Sequence, residues 1–303
     1  MEFDARRKWG ATCKSVYDIR DQAGCGSCWA VSTAEVATDR TCIRSAGAHQ
    51  PYLSDTNILT CCGTECGSCE GGFPMKALEM WQTRGVVTGG AYGTSTACQP
   101  YFLAPCNHHD DGSSLAKCMA YTSTPRCSES CTHGQSYNGD KSYAESGMTG
   151  AYQLPSDEET IMRDLMTNGP IVAGFMVYAD FPMYKSGVYR HVSGEMVGGH
   201  AIKILGWGVE NGRKYWLAAN SWNTNWSENA HTQQTHAHTE SRYRSLAHPH
   251  RSVLPAFIRS RSNSVSLVFL CAYRGQDGFF KIARGINEGG IESMMWSGVA
   301  KAM

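Results

Sequence analysis

The chain reads as an α+β protein of two lobes with a cleft between them. Three observations lead there. Helix-like periodicity with start and stop signals fills the region up to Arg84, short runs of β-branched and aromatic residues follow Pro170, and fourteen cysteines are spread along the chain. Helices followed by strands pack as segregated layers rather than as alternating βαβ units.

Taken in order, the first helix is predicted from Gly26 to about Ile43. Ala30, Ala34, Ala37 and Thr41 recur at helical spacing, Trp29 to Ile43 reads as amphipathic, and Gly47 lies beyond its end. Leu53 to Cys61 is a second short helix, with Ser54 as N-cap and Asp55 in the first turn. A third runs from Pro74 to Arg84 and stops at Gly85. Gly85 to Tyr152 is rich in Gly, Ser, Thr, Cys and Tyr and reads as long loops. Asp157 to Asn168 is helical, capped by Ser156 or Asp157, with Ile161, Met162 and Leu165 inward and a Gly169-Pro170 stop. Ile171 to Tyr178, Ala201 to Trp207, Lys214 to Ala219 and Phe279 to Ala283 read as strands.

With 303 residues, 42% of them hydrophobic, the chain can build a sizeable core. Its formal net charge of zero argues against a nucleic-acid partner. The absence of an apolar run of about 18 residues argues against a membrane span. Met1 to Arg7 has no apolar segment of the signal-peptide kind, yet so many cysteines point to an oxidising compartment.

The chemistry centres on Gln22-Ala23-Gly24-Cys25-Gly26-Ser27-Cys28-Trp29-Ala30. A thiol at a helix N-terminus meets free N–H groups and the positive end of the dipole, so Cys28 is expected to be acidified and nucleophilic. The Gln22 amide beside the Cys28 N–H would make a two-donor oxyanion hole. Downstream, Gly198-Gly199-His200-Ala201 and Ala219-Asn220-Ser221-Trp222 supply a base and a group to orient it. Bland readings stand beside these. Cys25 and Cys28 form a Cys-x-x-Cys that could be redox-active, although no βαβ unit precedes it; Cys28 could be structural; and a lone His200 could be a core residue.

These motifs, in order and spacing, resemble the papain-like cysteine peptidases. The resemblance implies a papain-like fold, with residues 12–110 as a mainly helical left lobe and 111–303 (plus 1–11) as a β-barrel-like right lobe. It also implies that Cys28 is the nucleophile, His200 the general base and acid, Asn220 the orienter and Gln22 the oxyanion donor. Gly71 and Gly72, otherwise readable as a turn, would pair with the substrate main chain. Gly198, Trp222 and Trp226 would border the cleft. Phe3-Asp4-Ala5-Arg6 is similar to the family's mature start.

The Cys-bounded stretch with His108 and His109 resembles the cathepsin B branch. There, two loop histidines bind a substrate's C-terminal carboxylate and confer dipeptidyl carboxypeptidase activity. Two solvated histidines or an adventitious metal site are the alternatives. The resemblance proposes the pairs Cys13–Cys42, Cys25–Cys69, Cys61–Cys127, Cys62–Cys66, Cys98–Cys131 and Cys106–Cys118, leaving Cys28 free and Cys271 over. A zinc site at Cys61, Cys62, Cys66 and Cys69 is the competing reading. The resemblance also implies peptide and protein substrates, a pro-segment and cystatin-like inhibitors as partners, a monomer, no cofactor or metal, and a lysosomal or secreted location.

Departures from the family carry their own expectations. Residues 229–276 have five histidines, six arginines, no lysine and one acid, Glu240, with much serine and no periodicity. They read as a disordered insertion or as translated non-coding sequence. If the segment spoils the site, the chain is instead an impaired papain-fold binding protein. Ser227 creates a sequon at Asn225, expected to be unoccupied. Ser114 and Asn225 stand where the branch has an Arg–Asp clasp, so a looser His loop and relatively more endopeptidase activity are expected. Asp21 is the expected partner of a loop histidine. Met294 replaces a pocket-floor Glu, so an Arg two residues before the scissile bond should lose its preference.

Overall fold

The computed structural model describes residues 1–108, 114–119, 122–134, 136–146, 150–226 and 277–302. The expectations placed on His109, Ser227, Cys271 and residues 229–276 lie outside them.

The chain opens with a short strand, β1 (Phe3–Asp4), and a helical turn, α1 (Ala5–Trp9). The long helix α2 covers Cys28–Arg44, two residues later at its start than the glycine pattern implied. The third helix, α3 (Asp55–Cys61), begins where Ser54 accepts the Asn57 N–H at 2.9 Å. Two short paired strands follow, β2 (Gly67–Ser68) and β3 (Gly71–Gly72). Next comes α4 (Pro74–Arg84), with proline in its first turn and Gly85 at φ 70° after its end. After β4 (Ala151–Gln153), α5 (Glu158–Asn168) is capped by Asp157, which accepts the Thr160 N–H at 2.9 Å. The remaining strands are β5 (Ile171–Tyr178), β6 (Val188–Tyr189), β7 (Met196–Glu210), β8 (Arg213–Ala219), β9 (Phe279–Ala283) and β10 (Met295–Gly298).

Among the described residues these strands form one sheet in the order β4-β10-β5-β7-β8-β9-β6, with β1 against β7. Neighbours are antiparallel except β6 and β9. The apolar side chains separate into two cores. One gathers Trp29, Leu53, Ile58, Leu78 and Trp81 from the helices. The other gathers Phe175, Phe181, Trp216, Trp226 and Phe280 from the sheet. The α+β architecture is therefore as the composition of the two halves predicted.

One expectation needs correction. The helix α2 is not amphipathic, because every residue from Trp29 to Cys42 is buried. It runs between the helical core and β7, so it has no solvent face. Its charged residues include two that meet ions from elsewhere. Arg40 meets Asp164 at 2.5 Å, and Asp39 meets Lys203 of β7 at 3.1 Å. Buried charges persist only when paired in this way.

Six disulfides join Cys13–Cys42, Cys25–Cys69, Cys61–Cys127, Cys62–Cys66, Cys98–Cys131 and Cys106–Cys118. Cys61, Cys62, Cys66 and Cys69 are thereby used in bridges and hold no thiolate for zinc. Among the described residues Cys28 is the free cysteine.

Candidate active site

Cys28 is the first residue of α2, and its N-cap, Ser27, makes no side-chain cap bond. The Ser27 hydroxyl instead bonds the Tyr101 hydroxyl at 2.8 Å. First-turn N–H groups are thus left near the sulfur, where the backbone of Ala201, Trp29 and Cys28 favours the ionised thiol. Contact with Ala201 brings β7 to the helix terminus, one residue beyond His200. Burial nevertheless outweighs these donors and pushes the lone Cys28 thiol up from its ordinary value. This corrects the expectation of simple acidification: the helix end alone does not overcome desolvation.

His200 is itself buried, and burial pushes its imidazole down to about 4, against the opposing effect of its hydrogen bond to Asn220 and with some help from the charge of His108. Each charge is therefore costly singly. Where a thiolate and an imidazolium face each other, each relieves the other's cost, so transfer of a proton between them is favoured over ionising either alone.

The orientation of the imidazole follows from Asn220. Its Oδ1 accepts the Ser221 backbone N–H at 2.8 Å, which fixes which end of the amide is oxygen. His200 Nε2 lies 2.7 Å from the same Oδ1 and must donate to it. The proton is on Nε2, and the Nδ1 lone pair is left as the base. Trp222 stacks on the ring at 5.0 Å between centroids, and Phe175 meets it edge-on at 5.9 Å.

Gln22 is held from both ends of its amide. Its Nε2 donates to the Cys25 carbonyl at 3.0 Å, and its Oε1 accepts the Ser221 hydroxyl at 2.7 Å. One amide N–H remains for another acceptor. Gly71 and Gly72 lie close by, since a Cβ on Gly26 would stand 3.3 Å from the Gly71 nitrogen. Gly72 tolerates no side chain, as its Cβ would lie 2.5 Å from the Trp29 ring. Gly71 and Gly198 face open space at φ 127° and 152°.

Trp226 is corrected. It is fully buried among Phe181, Tyr184 and Phe280, so it braces Trp222 edge-on at 5.4 Å rather than bordering a cleft. Met294 is half-buried, and its side chain lies between Gly174 and Gly290. Gly174 pairs with Ala201, so Met294 is one strand away from the residue that contacts Cys28. The neighbouring Glu292 is committed elsewhere: it accepts from Trp216 Nε1 at 3.0 Å and from the Gly285 and Asn287 N–H groups at 2.5 and 2.6 Å.

His108 reaches Asp21 at 2.6 Å and stacks on the far side of the site at Trp222, 5.9 Å between centroids. Cys106, His108 and Cys118 cluster closely enough to suggest a metal, but the Cys106–Cys118 bridge leaves only the imidazole as a ligand. A cavity of about 960 Å³ bounded by Asp180, Tyr184, Tyr189, His191 and Arg284 contains none of these groups. Sequence reasoning did not single out Ser221, Tyr101 or Asn223. Ser221 lies inside the Asn-Ser-Trp motif and could have been found there, whereas nothing in the local sequence signals the other two.

Comparison with known proteins accords with this geometry. Residues 1–245 match the family described as papain family cysteine protease. A gut-specific cysteine proteinase of Caenorhabditis elegans is 42% identical over 302 residues, covering 99% of this chain and 73% of its own length. A cathepsin B-like cysteine proteinase of Schistosoma japonicum is 47% identical over 230 residues, 75% of this chain and 66% of its own length. The solved structure of proCathepsin B S9 from Trypanosoma congolense aligns with a TM-score of 0.70 at 32% identity, over 99% of this chain and 77% of that one. With its family match spanning most of the chain and cathepsin B-like proteinases among its relatives, the chain belongs to the papain family of cysteine proteases, in its cathepsin B-like branch.

Proposed function

We propose that the chain hydrolyses peptide bonds by acyl transfer, both within chains and by releasing dipeptides from C-termini. Cys28 attacks the scissile carbonyl, and its proton passes to Nδ1 of His200. The oxyanion is met by the Cys28 N–H and the remaining Gln22 amide N–H. His200 then protonates the leaving amine, and water hydrolyses the thioester by the reverse proton route. Asn220 keeps the imidazole in the Nε2–H tautomer throughout. Gly71, Gly72 and Gly198 lie against the substrate backbone, Trp222 against the leaving side, and Met294 at the pocket for the residue two before the scissile bond.

The observation that carries this reading is the 2.7 Å contact of His200 with Asn220, with Ala201, the residue after His200, in the core cluster against which Cys28 packs. His108 beside Trp222 supports the exopeptidase part, because an imidazolium there would pair with a free carboxylate. The lobes are assigned to residues 12–110 and to 111–303 with 1–11. Six disulfides favour a lysosomal or secreted site of action. By analogy with its relatives the chain would act as a monomer on peptides and proteins, restrained by a pro-segment and by cystatin-like inhibitors.

The test pairs two substrates with one label. Stoichiometric alkylation of Cys28 should abolish cleavage of an internally quenched peptide and release of dipeptides from one with a free C-terminus. Amidating that C-terminus should abolish only the second activity. Full activity after alkylation would refute the nucleophile, and equal rates on acid and amide would refute the exopeptidase role.

A further inference from the structure

We propose that Asn223 is a positioning residue that, together with Asp21, fixes Cys106 and His108 against Trp222 and so sets the release of C-terminal dipeptides. The inference rests on the exopeptidase reading above and assigns it a determinant other than the histidines.

Asn223 follows Trp222 directly and sits at φ 57°, a left-handed conformation that asparagine tolerates better than most residues. Its side chain has one orientation consistent with its neighbours. Oδ1 accepts the Asn225 backbone N–H at 2.8 Å, so Nδ2 must face the other way. There Nδ2 donates to the Cys106 carbonyl at 2.8 Å and to Asp21 Oδ2 at 3.1 Å. The backbone N–H of Asn223 is anchored to the Arg20 carbonyl at 3.2 Å.

Asp21 completes the arrangement. Its Oδ2 also accepts the Cys106 N–H at 3.0 Å, while its Oδ1 takes the Ala23 N–H at 2.8 Å and His108 at 2.6 Å. Cys106 is thus gripped at its N–H by Asp21 and at its carbonyl by Asn223. His108, two residues on, is held by the same carboxylate. The position of His108 over Trp222 therefore depends on an amide whose own partners are Asp21, Cys106 and Asn225. Ser114 and Asn225 are both uncharged and cannot supply an ion pair in its place, which makes this neutral clamp the more consequential.

Asn223→Asp and Asn223→Gly test the assignment. The first keeps shape, backbone preference and the acceptor for Asn225, but turns a carboxylate toward Asp21, whose other oxygen meets the His108 ring. The second keeps the left-handed backbone and removes the amide. Dipeptide release should fall about tenfold or more in both, since a donor to a carboxylate is lost. Cleavage of a long internally quenched peptide should be kept. In Asn223→Asp alone, dipeptide release should recover as the pH is lowered through the carboxylate range, because a protonated Asp can donate as Asn does. Hydrogen exchange at the Cys106 amide should accelerate in both variants.

An unchanged ratio of the two activities, or a parallel loss of both, would overturn the positioning role. If the unmutated chain releases no dipeptides, the exopeptidase reading itself falls. The exchange rate then decides the clamp alone, and unaltered Cys106 protection in Asn223→Asp would end it.

Discussion

His200 Nε2 and Asn220 Oδ1 stand 2.7 Å apart inside the protein, and the second acceptor bond of that oxygen comes from the very next N–H, that of Ser221. The imidazole is therefore oriented by a rigid backbone–side-chain unit rather than by a free rotamer. Replacing Asn220 by Ala should release the ring. Losing a buried hydrogen bond costs about 1–3 kcal/mol, so kcat should fall roughly 5- to 150-fold. KM should move little, because Asn220 is buried and does not reach substrate. Steady-state kinetics of Asn220→Ala on a peptide substrate decides this, and a change confined to KM would contradict it.

The electrostatics of the thiol and imidazole can be separated by removing one of them. Burial holds His200 at about 4 when no anion faces it. In Cys28→Ala the imidazole should titrate there. In the unmodified chain a thiolate would face the imidazolium, and the ring should keep its proton to a pH several units higher. NMR of the imidazole carbons across the pH range reads both values. The sign also predicts stability for the variant. An ordinary histidine in the unfolded chain takes up its proton near 6.5, above the folded value. Cys28→Ala should therefore lose stability as pH falls from about 6.5 through about 4. Coincident titrations in the two proteins would rule out the ion pair.

How much of this was legible varied with the range of the interaction. The helix α4 is bracketed by Pro74 and Gly85, and α5 by Asp157 and Gly169, which are local signals, and both were readable. Strand β7 was read only from Ala201 to Trp207, yet its ladder extends back to Met196. Gly198 and Gly199 disguise that end, being opposite Val177 and Met176 without any strand propensity of their own. The burial of Lys203 in β7 was invisible, because its partners Glu35 and Asp39 come from α2. Cys28, His200 and Asn220 stand in short motifs that the sequence carries locally, and their roles were expected from resemblance. The clamp through Asn223 was not, since only the folded chain brings Asp21 and Cys106 to it.

The proposed place of Met294 beside the substrate supplies a specificity test. Met294 lies between Gly174 and Gly290, and the neighbouring Glu292 is occupied with Trp216, Gly285 and Asn287, so its carboxylate is not free to face an arginine there. The chain should accept Phe or Leu at that substrate position at least as well as Arg. Met294→Glu should favour Arg, by about 1.5–3 kcal/mol in transition-state binding, which is roughly 10- to 150-fold in kcat/KM. A matched series of peptides differing only at that residue measures the change. Dominant Arg preference before mutation would show that another group supplies the charge.

The buried ions between α2 and β7 predict how stability depends on pH. Glu35 is pushed up to about 7, first by burial, against the attraction of Lys203 and Arg20 and with repulsion from Asp39 and Asp18. Its Oε1 lies 3.9 Å from the Lys203 ammonium and has no hydrogen-bond partner among the described residues. A solvated glutamate loses its proton near 4.5. Between the two values the folded chain holds a proton that the unfolded chain has released, so stability is full below about 4.5 and declines as pH rises through about 7. The loss is on the order of 3 kcal/mol. Glu35→Gln keeps the shape of the neutral side chain and should abolish this component. Its melting temperature should equal that of the unmodified chain near pH 4.5 and exceed it near pH 8. Parallel melting curves for the two proteins across that interval would show that Glu35 is ionised throughout, and that Lys203 balances two carboxylates rather than one.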